Sequence, residues 1–216
     1  MTVTIVDYGS GNLHSAVKAF ERASREHGLD LPIQLSSDPE QLRTSSHIVL
    51  PGVGAFADCR RGLEEIPGMV EALHEAVLHQ GRPFFGICVG MQLLATRGHE
   101  HQVTQGLGWI GGDVVALETG DQDLKIPHMG WNTLDEKRPH HLLDGIPTGE
   151  NGLNAYFVHS YQFVPDSTAS AIATTTYGKP FASIVGRDNI VGSQFHPEKS
   201  QKLGLALIAN FLRWRP

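Results

Sequence analysis

An α/β fold, with a mostly parallel central sheet flanked by helices and additional antiparallel strands in the C-terminal half, is the class this sequence predicts. Three observations lead there. Up to Arg97, short apolar and β-branched runs alternate with amphipathic helical patterns over short links, the signature of a parallel sheet covered on both faces. Two of those runs end in glycine-marked turns, at Pro51-Gly52-Val53-Gly54 and around Cys88. After Gly106 the texture changes to closely spaced strands with little helix between them, which predicts antiparallel strands and loops added to the same sheet.

The elements follow in order. Thr2 to Val6 is a β-branched strand, and Asp7-Tyr8-Gly9-Ser10-Gly11-Asn12 is the tight loop after it. Leu13, Ala16, Val17, Phe20 and Ala23 recur at helical spacing, and the helix stops near His27-Gly28. Gly9 and Gly11 lack the third glycine of a dinucleotide loop. Strands follow at Ile33–Leu35 and His47–Leu50, and helical patterns at Asp58–Glu65 and Met69–His79. Phe84 to Ile87 reads as a buried strand that turns at Cys88 into a helix running to about Arg97. The later strands are Asp113–Leu117, Trp131–Leu134, Ala155–Val158, Tyr161–Val164, Ala171–Thr175, Ala182–Val185 and Ile190–Gln194, and an amphipathic helix from Ser200 to Trp214 closes the chain. A length of 216 residues suits a single α/β domain spanning 1–216.

Composition narrows the function. Hydrophobic residues at 40%, charged residues at 19% and a formal charge of -6 argue against a general nucleic-acid or anionic-membrane binder. No leader pattern or membrane-length apolar run stands out, so a cytoplasmic location is expected. Cys59 and Cys88 are the two cysteines, which excludes a disulfide scaffold, and Cys59 reads as packed. The 12 histidines, His99, His101, His140 and His141 among them, lack a zinc pattern and read mostly as surface residues.

Cys88 stands between Gly86 and Gly90 at a strand-to-helix turn, the arrangement of a nucleophile elbow. A helix N-terminus there would favour the thiolate through its free N–H groups and dipole. The same pattern also suits a buried cysteine acting as a small hydrophobe. A nucleophilic cysteine needs a base and a group to orient it, and Gln194-Phe195-His196-Pro197-Glu198 supplies both. Extended backbone at this spacing puts His196 and Glu198 on one side, although the pair could equally end a strand and cap the next helix. Acyl transfer through a thiolate also needs N–H donors for the oxyanion. The Val89 amide is one candidate, and the Gly52-Val53 peptide is the other.

Gly86-Ile87-Cys88-Val89-Gly90-Met91-Gln92 with His196-Pro197-Glu198 resembles the triad (class I) glutamine amidotransferases. Further blocks narrow the resemblance to the glutaminase subunits of imidazole glycerol phosphate synthase: Asp7 to Asn12, Pro51 to Gly54, Pro127-His128-Met129-Gly130-Trp131-Asn132, Tyr156-Phe157-Val158-His159-Ser160-Tyr161, and His196 to Ser200. Relatives serving anthranilate or guanylate synthesis usually carry histidine where Met91 stands, and Val89 replaces a usual leucine without touching its N–H. The resemblance implies that Cys88 attacks the side-chain amide of glutamine and releases ammonia, with His196 as base and Glu198 orienting it. It implies an oxyanion hole from Gly52, Val53 and Val89, and glutamine held by Gly54, Gln92, Ser160 and Tyr161. It further implies a heterodimer with a (β/α)₈-barrel cyclase, which takes the ammonia through an internal path and makes imidazole glycerol phosphate and an aminoimidazole carboxamide ribotide in histidine biosynthesis. Asn12, Trp131, Tyr156 and Lys199 would meet that partner, and no metal or cofactor is implied. Three other readings stay open: a glutaminase serving another synthase, an elbow-cysteine peptidase or deglycase, and a silent binding subunit.

Overall fold

Most of the longer strands form where β-branched and aromatic runs stood in the sequence, and most of the longer helices where the apolar spacing was helical. In the computed structural model, which describes residues 1–120 and 124–216, the chain begins β1 (Val3–Val6), α1 (Leu13–Glu26), β2 (Ile33–Ser36), α2 (Pro39–Thr44), β3 (His47–Gly52), α3 (Phe56–Glu64) and α4 (Met69–His74). A π turn at Glu75–His79 extends α4, and β4 (Phe84–Cys88), α5 (Val89–Gln92), β5 (Arg97–Gly98), β6 (Thr104–Gln105) and β7 (Gly112–Ala116) follow. The rest comprises β8 (His128–Thr133), β9 (Asp135–Glu136), β10 (Asn154–His159), β11 (Tyr161–Pro165), β12 (Ala171–Tyr177), β13 (Lys179–Arg187), β14 (Ile190–Ser193) and α6 (Gln201–Arg213).

The main sheet runs β2-β1-β3-β4-β14-β13-β12-β9. From β2 to β14 the neighbours are parallel, and from β14 to β9 they are antiparallel. Side chains alternate across a strand, and β4 shows both faces covered. Phe85 meets Phe211 of α6, while Phe84 meets Trp109, which in turn meets His74 of α4. Phe84, Phe85 and Phe211 are fully buried, and burial of each such side chain stabilises the fold by roughly 1.5–3 kcal/mol.

Two sequence expectations are corrected. The helix after Cys88 does not run to Arg97; it ends at Gln92. Backbone groups of residues 93–96 bond instead to a returning segment, with Leu107 N–H donating to Leu93 at 2.7 Å and Thr96 N–H donating to Gly112 at 2.9 Å. Gly106 permits that return, because a Cβ there would lie 2.1 Å from the Ala95 carbonyl oxygen. The later strands also do not all join the main sheet. β8 and β10 form a separate two-stranded ribbon, and β11-β7-β5-β6 form a four-stranded sheet. One helix escaped the sequence reading: α2 begins at Asp38-Pro39, where the Asp38 carboxylate accepts the Glu40 N–H.

Three parallel strands end side by side. Gly52 is the register partner of Cys88, and Ser193 that of Ile87. Residues following β3, β4 and β14 therefore meet in the crevice at the carboxyl ends of the strands, where open α/β sheets bind ligands.

Candidate active site

Cys88 sits on a backbone that only the elbow explains, with φ 55° and ψ -111°. A non-glycine residue with positive φ is strained, and here crowding on both sides holds it. A Cβ on Gly86 would lie 2.4 Å from the Gly90 carbonyl oxygen, and one on Gly90 would lie 1.8 Å from the Leu50 carbonyl oxygen. Both glycines are thus required by close approach. The helix that follows has four residues, too few to build a substantial macrodipole, so the expected dipole effect on Cys88 loses most of its ground. Val89 opens that helix, so its N–H has no intrahelical partner.

The candidate base, His196, stands beyond the end of β14. His196 Nδ1 is 2.8 Å from Glu198 Oε1, and the two side chains are 3% and 4% exposed. A carboxylate accepts there, so Nδ1 carries the proton and Nε2 is left for the thiol. Burial works against a charged ring at His196, but its interactions with Cys88 and Glu198 outweigh it and push the imidazole up to about 10. The His196 backbone is fixed at both ends: its N–H donates to the Tyr156 carbonyl at 3.0 Å, and its carbonyl accepts from Ser200 Oγ at 2.6 Å. Ser200 Oγ also accepts the Tyr156 N–H, tying β10 to the base.

A cavity of about 330 Å³ opens over the thiol, and its wall includes Cys88, His196, Val53, Gly54, Val89, Gln92, Ser160 and Tyr161. These residues are the sequence-proposed catalytic, oxyanion and glutamine-contacting positions, except Glu198, which meets His196, and Gly52, which precedes Val53; neither lines the cavity. Gln92 Nε2 donates to the Tyr161 carbonyl at 3.2 Å and to Gln194 Oε1 at 3.0 Å. The Val53 N–H, however, donates to Ser10 Oγ at 3.1 Å. Peptide planarity turns the Gly52 carbonyl away from Ser10. Cys59, expected to be merely packed, is buried but also donates its thiol to the Val53 carbonyl at 3.3 Å.

Glu100, His159 and Lys199 also line the cavity. Glu100 was not foreseen. It comes in because the chain turns back after Gln92, and its carboxylate accepts the Phe56 N–H at 2.8 Å. His159 Nδ1–H donates to the Tyr161 carbonyl at 2.8 Å, which leaves its Nε2 to accept from His128 Nδ1–H at 3.1 Å, and burial lowers both histidines to about 4. Of the proposed contact residues, Trp131 is 48% exposed and meets Tyr156 with ring centroids 5.5 Å apart. Lys199 Nζ lies 5.9 Å from the Tyr156 ring centroid. Asn12 is exposed at the start of α1, with no side-chain capping bond. Among the described residues, no helix is long and apolar enough to cross a membrane.

A mostly parallel α/β sheet with a cysteine elbow and a histidine-carboxylate pair at neighbouring strand ends defines the class. The family model for "Glutamine amidotransferase class-I" matches residues 4–214, and the chain belongs to that family. A glutamine amidotransferase from Thermotoga maritima shares the fold, with a TM-score of 0.62 at 19% identity over 92% of this chain and 76% of that one. Within the class, the sequence relatives are particular. "Imidazole glycerol phosphate synthase subunit HisH" of Rhizobium meliloti (strain 1021) is 64% identical over the whole of both chains, and the protein of the same name from Rhodopseudomonas palustris is 59% identical over the whole of both.

Proposed function

We propose that this chain, read as a single domain, is the glutaminase subunit of an imidazole glycerol phosphate synthase. It hydrolyses glutamine through a cysteine thioester and passes the ammonia to a cyclase partner. The observation that carries the reading is the meeting of Cys88 with His196 and Glu198 at adjacent strand ends, in a chain 64% identical to a HisH subunit.

The chemistry follows from the wall of the cavity. His196 Nε2 takes the proton of Cys88, and the sulfur attacks the side-chain carbonyl carbon of glutamine. The Val89 N–H receives the oxyanion, joined by the Val53 N–H once the Gly52-Val53 peptide turns. Each such donor is typically worth about 3 kcal/mol of transition-state stabilisation. His196 returns its proton to the nitrogen as the C–N bond breaks, and ammonia leaves. A water, deprotonated by His196, then attacks the thioester and releases glutamate with the thiol restored. Glu198 keeps the ring in the right tautomer and supports its charge. Glu100 offers a carboxylate to the α-ammonium of the substrate. Gln92 spends its N–H groups on Tyr161 and Gln194, which leaves its Oε1 to accept from the substrate amide.

The partner side rests on the exposed apolar groups beside the cavity. Met129 and Trp131 are 64% and 48% exposed on β8, and Tyr156 lies opposite Trp131 in register. Asn12 and Lys199 add polar contacts at the same end. A (β/α)₈-barrel cyclase seated there, as a heterodimer, would cover the mouth through which ammonia leaves.

The test is glutamate release with the cyclase and its ribonucleotide ligand present. Cys88→Ala should abolish it, Cys59→Ser should retain it, and asparagine should not substitute for glutamine. A glutamine-analogue electrophile should label Cys88. Labelling of Cys59 in its place, or turnover by Cys88→Ala, would sink the reading.

A further inference from the structure

The hydrogen-bond directions beneath the cavity can be traced from a group that cannot turn over. The Tyr161 carbonyl is a backbone acceptor, so the Gln92 side chain must present Nε2 to it, at 3.2 Å. Reversing the Gln92 amide would set two oxygens against each other. The same Nε2 lies 3.0 Å from the Gln194 side chain, so Gln194 must meet it with Oε1. That leaves Gln194 Nε2 as the end facing Cys88, 3.8 Å from Sγ, a length suited to an N–H donor on the large sulfur atom. Gln194 is fully buried and Gln92 is 3% exposed, so water does not compete for these bonds. The Gln194 backbone is held as well, its N–H donating to the Ser183 carbonyl at 2.9 Å.

We propose that Gln194 is a catalytic residue of this glutaminase, donating an N–H to the Cys88 sulfur and thereby stabilising its anionic form beside His196. A thiol sulfur is a weak acceptor, whereas a thiolate accepts a charge-assisted bond about twice as strong as a neutral one. The donor therefore favours the reactive state selectively. It acts where the four-residue helix after Cys88 offers little dipole. Gln92 is the positioning residue: it fixes which end of the Gln194 amide faces the sulfur.

This inference rests on the glutaminase reading, and the experiment separates the two. Glutamine hydrolysis in the complex with the cyclase and its ligand is measured for the unsubstituted chain, Gln194→Met and Gln194→Glu, alongside the rate of Cys88 alkylation by iodoacetamide, read by mass spectrometry. Methionine fills similar volume without a donor, and kcat should fall about 10-fold or more with KM changed less than about 2-fold, the scale of one hydrogen bond to a charged group. Glutamate keeps the shape and still accepts from Gln92, but it sets an oxygen against the sulfur. It should be slower than methionine in both turnover and alkylation. A purely structural role would let glutamate rescue, so Gln194→Glu at the unsubstituted rate overturns the proposal. Where a variant fails to fold, the unsubstituted chain decides: the Gln194 side-chain amide resonances should move when Cys88 is alkylated, and unmoved resonances overturn the proposal. A chain that alkylates as expected yet releases no glutamate in the complex overturns the glutaminase reading and leaves the Gln194–Cys88 bond standing.

Discussion

The Val53 amide donates to the Ser10 hydroxyl at 3.1 Å, so the N–H that would meet an oxyanion formed at Cys88 is engaged elsewhere. Ser10 Oγ also bonds the Val53 carbonyl at 2.8 Å, and the Cys59 thiol reaches the same carbonyl. The loop is thus latched with one donor withdrawn. Loss of one oxyanion donor typically lowers kcat by about 10²–10³, so the isolated chain should be close to idle and should rise by that order with the cyclase and its ligand bound. Ser10→Ala removes the latch on the amide. One hydrogen bond contributes roughly 0.5–1.5 kcal/mol net, so basal glutamine hydrolysis should rise about 2- to 10-fold without any partner. Full activity of the unsubstituted chain alone would refute the latch.

His196 and Glu198 separate by role. His196→Ala should abolish turnover, and Glu198→Gln should slow it by about 10²–10⁴, the scale of acid-base and orienting contributions. Equal, small losses from both would make the pair structural. The same pair predicts an alkaline limb of stability. His196 is raised from 6.5 to about 10, so between those values the folded chain binds a proton that the unfolded chain has released. Its contribution is complete below pH 6.5 and lost as pH climbs to about 10. Glu198→Gln removes one of the two groups holding that proton, so its melting temperature should begin to fall at lower pH than that of the unsubstituted chain. Identical alkaline melting profiles would contradict this.

Acid should act through other histidines. His47, His128 and His159 are buried and lowered to about 4, chiefly by desolvation. Here the sign reverses: between 6.5 and about 4 the unfolded chain binds protons that the folded chain does not, so stability falls as pH falls through that window. Each ring contributes up to about 3 kcal/mol to this loss. His128 stacks on Tyr177 at 4.0 Å and on Phe157 at 4.9 Å, a slot that a phenylalanine fits. His128→Phe should lower stability at pH 7 by removing the donor to His159, yet flatten the decline between pH 6.5 and 4 in thermal melts. An unchanged slope would show that His128 does not titrate with unfolding.

What the sequence discloses is what local sterics and local spacing impose. The elbow was legible because close backbone approach writes itself as glycine at Gly86 and Gly90. His196 and Glu198 were legible because two residues separate them and the contact is local. Glu100 and Ser10 were not legible as site residues. One arrives through a helix cut short by long-range bonds to residues 107–112, and the other meets Val53 across 43 positions. The direction of the Gln194 amide depends on a carbonyl in another strand, which no spacing encodes. α2 was missed because it is short and buries Leu42 alone, leaving no apolar stripe to read.

Docking should hinge on Trp131. β8 alternates, and its outward positions carry Met129 and Trp131, while Ile126 just before it is 50% exposed. Contiguous apolar exposure beside a polar rim marks an interaction surface, and aromatic anchors carry most of the binding energy in such surfaces. Trp131 packs against Tyr156, whose backbone carbonyl accepts the His196 N–H, so one residue lies between this ribbon and the histidine. Asn12, exposed at the start of α1, is the polar contact proposed beside this patch. Trp131→Ala should weaken binding of the cyclase by about 30-fold or more, the loss expected of a hot-spot residue worth about 2 kcal/mol or more. Asn12→Ala should weaken it by about 5-fold or less, as a rim contact. Titration of each variant with the cyclase by calorimetry gives the dissociation constants, and electrophile labelling of Cys88 in the isolated chain checks that the site is intact. A Trp131→Ala chain that labels normally and binds the cyclase with unchanged affinity would place the docking surface elsewhere.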